Sequence, residues 1–251
     1  MLGAAIGDVV GSRFEFNNIK CKQFELFTHE SFYTDDTVCT VAVAEWVLGD
    51  CRGNLNNIMQ KWCRRYPQAS YGVNFAEWIH SDMPRPYNSW GNGSAMRVSA
   101  VGWRFDTLEE TLFRAEESAY ITHDHPEGVK GAQATAAAIF LARQGIEKEK
   151  IRRYIEEKFQ YNLDRTCDMI RPGYQFNESC METVPEAIIA FLEGKDFEDS
   201  IRLAVSLGGD SDTLAAITGS IAEAYYGIPQ YMKQSILRYI PYELGKVLLE
   251  I

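Results

Sequence analysis

Gly208-Gly209-Asp210-Ser211-Asp212-Thr213-Leu214-Ala215-Ala216-Ile217-Thr218-Gly219-Ser220-Ile221-Ala222-Glu223-Ala224-Tyr225-Tyr226-Gly227 carries the reading of the fold. From Leu214 to Tyr226 nearly every side chain is apolar or small. A helix apolar on all sides has no face to give to water, so it is expected deep in a core. Directly before it stand Asp210, Ser211, Asp212 and Thr213, residue types that accept hydrogen bonds from the free N–H groups of a helix start. The chain repeats the device once. Thr34-Asp35-Asp36-Thr37 precedes a densely apolar helix expected over Val38–Leu48 and ended by Gly49.

The flanking sequence is of the same kind. Thr107–Tyr120 has the spacing of an amphipathic helix, and Ala132–Arg143 is so weakly polar that it should be buried. Ile146–Phe159 is charged, with Ile151, Tyr154, Ile155 and Phe159 on one face. Two more helices are expected over Val184–Leu192 and Phe197–Ser206. Alternating strand patterns are short and few. The expected architecture is therefore all-α, a compact helical bundle, with residues 1–251 as one domain. Tyr66–Gly93, which holds Pro67, Pro84, Pro86 and several glycines, is expected to be a long functional loop.

Composition narrows the function. The 251 residues are 46% hydrophobic and 24% charged, ordinary for a protein with its own core. Twenty-five basic against 35 acidic side chains give a formal net charge of −10, which argues against general nucleic-acid binding. No apolar run reaches membrane-span length, so no membrane association is expected. The opening Met1-Leu2-Gly3-Ala4 has no basic n-region or small-residue cleavage site, so no secretory signal is expected. Six scattered cysteines without a CxxC pair fit reduced thiols of a cytoplasmic protein.

The acidic clusters ask for more than capping. A cap needs one oxygen, yet two carboxylates come as a pair, twice, at the heads of helices too apolar for the surface. Buried together, such pairs repel unless a cation neutralises them. Hard divalent ions do this with oxygen ligands. Asp36, Asp210 and Asp212, with threonine hydroxyls, could hold one or two Mg²⁺, and two such ions roughly 3.5–4 Å apart can share a carboxylate and orient a water. Zn²⁺ fits less well, since no His or Cys stands at ligand spacing near either cluster.

Three other stretches carry chemistry. Gly3–Phe16 is a small-residue helix ending in a turn, with Glu15 between two phenylalanines. A carboxylate in such company has a cation nearby or a raised pKa. Gly91-Asn92-Gly93-Ser94-Ala95-Met96-Arg97 reads either as an anion nest for a diphosphate or as a plain turn before a helix. It lacks the GK[ST] of a P-loop. Thr122-His123-Asp124-His125-Pro126 places two histidines at i and i+2. Two ligands do not close a metal site, so a surface pair or a substrate-bonding histidine is the better reading. No GxSxG nucleophile elbow occurs.

GAAIGDxxGSRFE, TDDT, GNGSAMR with the later THDHP, and GGDSDTLAAITGSIAEAYYG stand in one order along the chain. In this the chain resembles the ADP-ribosylglycohydrolase family, which includes the dinitrogenase-reductase-activating glycohydrolases, from Gly3 to about Tyr226. The resemblance implies a compact all-α fold, two Mg²⁺ (or Mn²⁺) ions, and hydrolysis of an N- or O-glycosidic bond at the anomeric carbon of ADP-ribose. By motif, Thr34, Asp35 and Asp36 would ligate one metal together with Asp212, and Asp210, Asp212 and Thr213 the other. Glu15 would be the mobile acidic residue over the second metal, and Glu15 or Asp36 would take the water's proton. Gly91, Asn92, Gly93, Ser94 and Met96 would line the diphosphate and ribose, and His123 would face the distal ribose or the diphosphate.

The implied partner is an ADP-ribosylated protein, with ADP-ribosyl-arginine foremost, or an ADP-ribose-containing small molecule, bound by a monomer. Alternatives are a serine, acetyl-ester or nucleobase linkage, a binuclear phosphoesterase, and a silent ADP-ribose binder. One departure stands out. Many members carry a Gly-Tyr pair whose ring stacks on adenine, and here Ser179-Cys180 stands near that position, which leaves Tyr174 or Phe176 as the aromatic candidates.

Overall fold

The computed structural model describes residues 1–251 and contains helices but no sheet. In chain order they are α1 (Gly3–Gly11), α2 (Asp35–Leu48), α3 (Leu55–Arg65), α4 (Val73–His80), α5 (Gly93–Met96), α6 (Ser99–Arg104), α7 (Leu108–Tyr120) and α8 (Pro126–Arg143). There follow α9 (Lys148–Phe159), α10 (Cys167–Ile170), α11 (Cys180–Glu193), α12 (Phe197–Leu207), α13 (Ser211–Tyr226), α14 (Gln230–Ile236) and α15 (Tyr242–Leu249). One cluster of 71 buried apolar residues runs from Met1 to Leu248. The all-α expectation is met.

At the centre α13 is buried on every side from Ser211 to Ala222, with α1, α8, α11 and α12 packed around it. The closest approach is to α1. Gly3, Gly7 and Gly11 recur every four residues on one face of α1 and turn that face onto α13. A Cβ on Gly7 would stand 2.0 Å from the Ala215 carbonyl oxygen, and one on Gly11 would stand 2.5 Å from the Asp212 Cα. Backbone therefore lies on backbone, and the C-terminal end of α1 is delivered to the acidic head of α13. Gly7→Ala would wedge the pair apart. We expect a loss of about 3 kcal/mol, the upper end for overpacking, seen as a lower urea midpoint at unchanged m-value.

Several helices begin earlier than their apolar pattern suggests. α2 starts at Asp35 rather than Val38, because the Thr34 side chain caps it by accepting from the Asp36 N–H (3.3 Å). Both acidic residues thus lie in its first turn. α8 starts at Pro126 rather than Ala132, with proline in the first turn and His125 as cap. Its Gly128 and Gly131, which look like turn residues in sequence, are packing positions against Ser89 and Cys180. α11 starts at Cys180 rather than Val184, capped by Ser179, and carries Pro185 inside it.

The long loop expected over Tyr66–Gly93 is a correction: α4 lies within it. Gly72 supplies no side-chain cap, so no start signal exists, and the helix is held by burial of Phe75, Trp78 and Ile79.

Candidate metal centre and ligand cavity

The heads of α2 and α13, the turn after α1 and the Gly91–Arg97 segment meet around one cavity of about 490 Å³. Its acidic wall is Glu15, Asp35, Asp36, Asp210, Asp212 and Thr213. Gly91, Asn92, Gly93, Met96, Arg97 and His123 form another part of the lining. A rim comes from Ser70–Phe75, Phe176 and Glu178. The four sequence segments singled out above, up to 198 positions apart at Glu15 and Thr213, thus converge on one site.

The acidic wall is tightly drawn. One carboxylate oxygen each from Glu15, Asp210 and Asp212 lie within 4.8 Å of one another. Asp36 joins through Thr213, whose hydroxyl donates to Asp36 Oδ2 (3.2 Å). Asp36 and Asp212 are buried, and Oδ1 of each has no hydrogen-bond partner. No lysine or arginine forms an ion pair with any of the five carboxylates.

The electrostatics follow. Burial, then the charges of Asp8, Asp35 and Asp210, pushes the Asp36 carboxyl well above the usual range. Burial, then Asp210, Asp36 and Glu15, does the same to Asp212. Asp35 is raised well up, again by burial first. Glu15 is pushed up to about 7 by burial and then by Asp210, Asp8 and Glu178. Repelling carboxylates with orphaned oxygens and no organic counter-charge match what a hard cation requires: an oxygen-only donor set with free lone pairs. The nearby thiol of Cys39 is no part of that set, being packed 3.9 Å from Cys63 Sγ in the α2–α3 seam.

Two residues expected in the site stand behind its walls. The Thr34 hydroxyl donates to Asp8 Oδ1 (2.9 Å) and Thr34 does not line the cavity. The Ser94 hydroxyl donates to the Gly128 carbonyl (2.6 Å), is fully buried, and is likewise off the cavity surface.

The glycine segment is less of a nest than its composition suggests. The Asn92 N–H is taken by Glu178 O (2.6 Å), and those of Ala95 and Met96 by Asn92 O, as α5 forms a single turn. Asn92 instead joins the acidic wall. Its amide donates to Asp210 Oδ2 (2.6 Å) and Thr183 Oγ1 (3.1 Å), so it orients a carboxylate as well as lining the wall. His125 caps α8 and is not part of the cavity. His123 is buried on the wall, and burial together with Arg97 drives its pKa well below the usual histidine value.

Of the two aromatic candidates, Phe176 lines the cavity and stacks on exposed Phe16 (centroids 5.9 Å, 26°). Tyr174 is buried, with its hydroxyl donating to Glu182 O (3.0 Å). Ser179 caps α11, and Cys180 Sγ lies 3.0 Å from the Gly91 carbonyl oxygen.

Asp8 belongs to none of the acidic pairs. It is wholly buried on α1 and accepts from the amides and hydroxyls of both Thr34 and Thr37. It thereby ties α1 to the first turn of α2, where Asp35 and Asp36 sit. The available signal was a single carboxylate in an otherwise small and apolar helix, GAAIGDVVG. The Ser70–Phe75 rim, with Ser70 at φ +67°, had no signal beyond loop composition.

Comparison with known proteins places the chain in a family. ADP-ribosylhydrolase ARH3 of Xenopus tropicalis is 24% identical, covering 92% of this chain and 87% of that protein. ADP-ribosylarginine hydrolase Tri1 of Pseudomonas putida is 25% identical, covering 91% and 70%. The solved structure of an ADP-ribosylglycohydrolase-related protein complex shares the fold, with a TM-score of 0.77 at 24% identity over 99% of this chain and 93% of the other. The model of the ADP-ribosylglycohydrolase family matches residues 1–249, so the chain belongs to that family.

Proposed function

We propose that this protein hydrolyses the glycosidic bond between ADP-ribose and a modified acceptor, ADP-ribosyl-arginine on protein foremost, with two Mg²⁺ (or Mn²⁺) held by Asp35, Asp36, Asp210, Asp212 and Thr213. The observation that carries the reading is the pair of orphaned, buried oxygens, Asp36 Oδ1 and Asp212 Oδ1, on the wall of a nucleotide-sized cavity. The choice of arginine rests on charge. Glu15 and Glu178 add negative charge to the cavity lining, which suits a guanidinium leaving group. The relative from Pseudomonas putida is named for that linkage.

When bound, the ions supply positive charge that makes a water more acidic and holds a sugar diol. The protein does the rest. Glu15, half-buried on the turn after α1 and open to the cavity, takes the water's proton, with Asp36 as the other carboxylate in reach. The surrounding aspartates face the anomeric carbon as it becomes cationic and stabilise that charge. Asn92 holds Asp210 in place, and Phe176 offers a face to the base.

The test is a panel of peptides ADP-ribosylated on arginine or serine, with an acetyl ester and an ADP-ribosylated nucleobase, each with Mg²⁺ or EDTA. Release of ADP-ribose from the arginine peptide in Mg²⁺ alone is expected. AMP release from ADP-ribose would instead mark a phosphoesterase. Independently of substrate, Mg²⁺ at a hundred times its Kd should stabilise the fold by about 2.7 kcal/mol, seen as a rise in Tm that EDTA reverses.

A further inference from the structure

Arg97 is fully buried on the cavity wall and forms no ion pair. Its Nη2 donates to Ser118 O (3.0 Å) and to Thr122 Oγ1 (2.8 Å). Thr122 Oγ1 in turn lies 2.6 Å from His123 Nδ1. A guanidinium can only donate, so at the first contact the threonine oxygen accepts. Thr122 is wholly buried, and the only acceptor within reach of its own proton is His123 Nδ1. A protonated Nδ1 would leave the threonine O–H without a partner in the interior, at a cost of about 1–3 kcal/mol. The histidine's one proton therefore belongs on Nε2.

Nε2 faces the two glycines of the wall. A Cβ on Gly91 would stand 3.6 Å from it, and one on Gly93 would stand 3.5 Å from it. The absence of side chains at both positions keeps this nitrogen open to the cavity. Burial and the charge of Arg97 keep the ring neutral near physiological pH.

We propose that Arg97 and Thr122 are positioning residues that fix His123 as its Nε2–H tautomer, making it a permanent hydrogen-bond donor to an oxygen of the bound ligand rather than a proton carrier. That the ligand is an ADP-ribose compound rests on the function proposed above; the tautomer does not.

The test has two arms. In ¹⁵N-histidine-labelled, ligand-free protein, two-bond correlation spectra assign the ring nitrogens, with His123→Gln identifying the resonances. The expected wild-type pattern is a non-protonated Nδ1 and a protonated Nε2. Thr122→Val removes the hydroxyl that bonds to Nδ1 and should move the Nδ1 resonance downfield to that of a non-protonated nitrogen without a hydrogen bond, and Thr122→Ser should restore it. If Val impairs folding, Thr122→Ala is the second variant, judged folded by an unchanged far-UV spectrum and cooperative melting. A protonated Nδ1 in the wild type, or an Nδ1 resonance in Thr122→Val at the wild-type position, overturns the proposal.

In the second arm, ADP-ribose binding is measured by calorimetry in Mg²⁺. Loss of the bond that holds the ring in place should weaken binding about tenfold in Thr122→Val, with recovery in Thr122→Ser, the scale of one neutral hydrogen bond. Unchanged affinity would overturn the donor role. A wild type that binds no ADP-ribose but shows the expected spectrum would sink the ligand reading alone.

Discussion

Asp212→Asn is expected to lose about a thousandfold in turnover on ADP-ribosyl-arginine peptide in Mg²⁺ while melting at a higher temperature than wild type in EDTA. The two effects have one cause. Asp212 is buried, has an oxygen without a partner, and is crowded by Asp210, Asp36 and Glu15. In the ion-free protein that carboxylate is a liability, because desolvation and like charge both oppose it. The amide has nearly the same shape and no charge, so the fold relaxes. It is also a far weaker ligand for a hard cation. Several kilocalories of transition-state stabilisation go with it, about 4 kcal/mol for the stated loss in rate. Initial rates and thermal melts in the two buffers check both halves. A variant that loses activity and also melts lower in EDTA would mean that Asp212 is a structural residue rather than a strained ligand. The same trade is common where a site is built for function at the expense of stability.

How much of this could be read from the chain depended on whether the cause was local. α13 was legible because its side chains leave no polar face, and its acidic head was legible because paired carboxylates exceed what a cap requires. Glu15 was legible as a charge among phenylalanines. Residues whose role depends on a distant partner were not. Ser94 reads as part of a phosphate-binding turn, yet its hydroxyl is drawn to Gly128, 34 residues away. Gly128 and Gly131 look like chain breakers, and only the approach of Ser89 and Cys180 shows them to be contact points inside a helix. α4 has a buried face but no capping residue, so its start has no local mark. Asn92 reads as a ligand-facing amide, and its bond to Asp210 spans 118 positions. Local propensity writes caps and periodicity into a sequence, whereas cross-chain hydrogen bonds leave only a residue type out of place.

Asp8 is such a residue, and its replacement is expected to have the largest effect on folding. The Thr34 amide donates to both its oxygens (2.9 Å to Oδ2, 3.1 Å to Oδ1), the Thr34 hydroxyl to Oδ1 (2.9 Å), and the Thr37 amide (3.1 Å) and hydroxyl to Oδ2. Burial lifts this carboxyl to about 6, while those same bonds hold it down. Asp8→Ala would strand two amides and the Thr37 hydroxyl in the interior and leave the Thr34 hydroxyl only a long bond to Asp36 Oδ2 (3.4 Å). At roughly 1 kcal/mol or more for each, the loss is about 4 kcal/mol in denaturant titrations. Thr34 and Thr37 bracket Asp35 and Asp36, so the clamp also sets where the acidic wall stands. Activity measured well below the melting transition should therefore fall by more than the folded fraction explains. Asp8→Asn separates shape from chemistry. It fills the same space, but its amide nitrogen is a donor and must face an amide or hydroxyl donor at Thr34 or Thr37. If Asp8 served only to fill a gap between α1 and α2, asparagine would behave as wild type. As an acceptor on both oxygens it cannot be replaced that way, and Asp8→Asn should lie nearer to Asp8→Ala in stability and in activity.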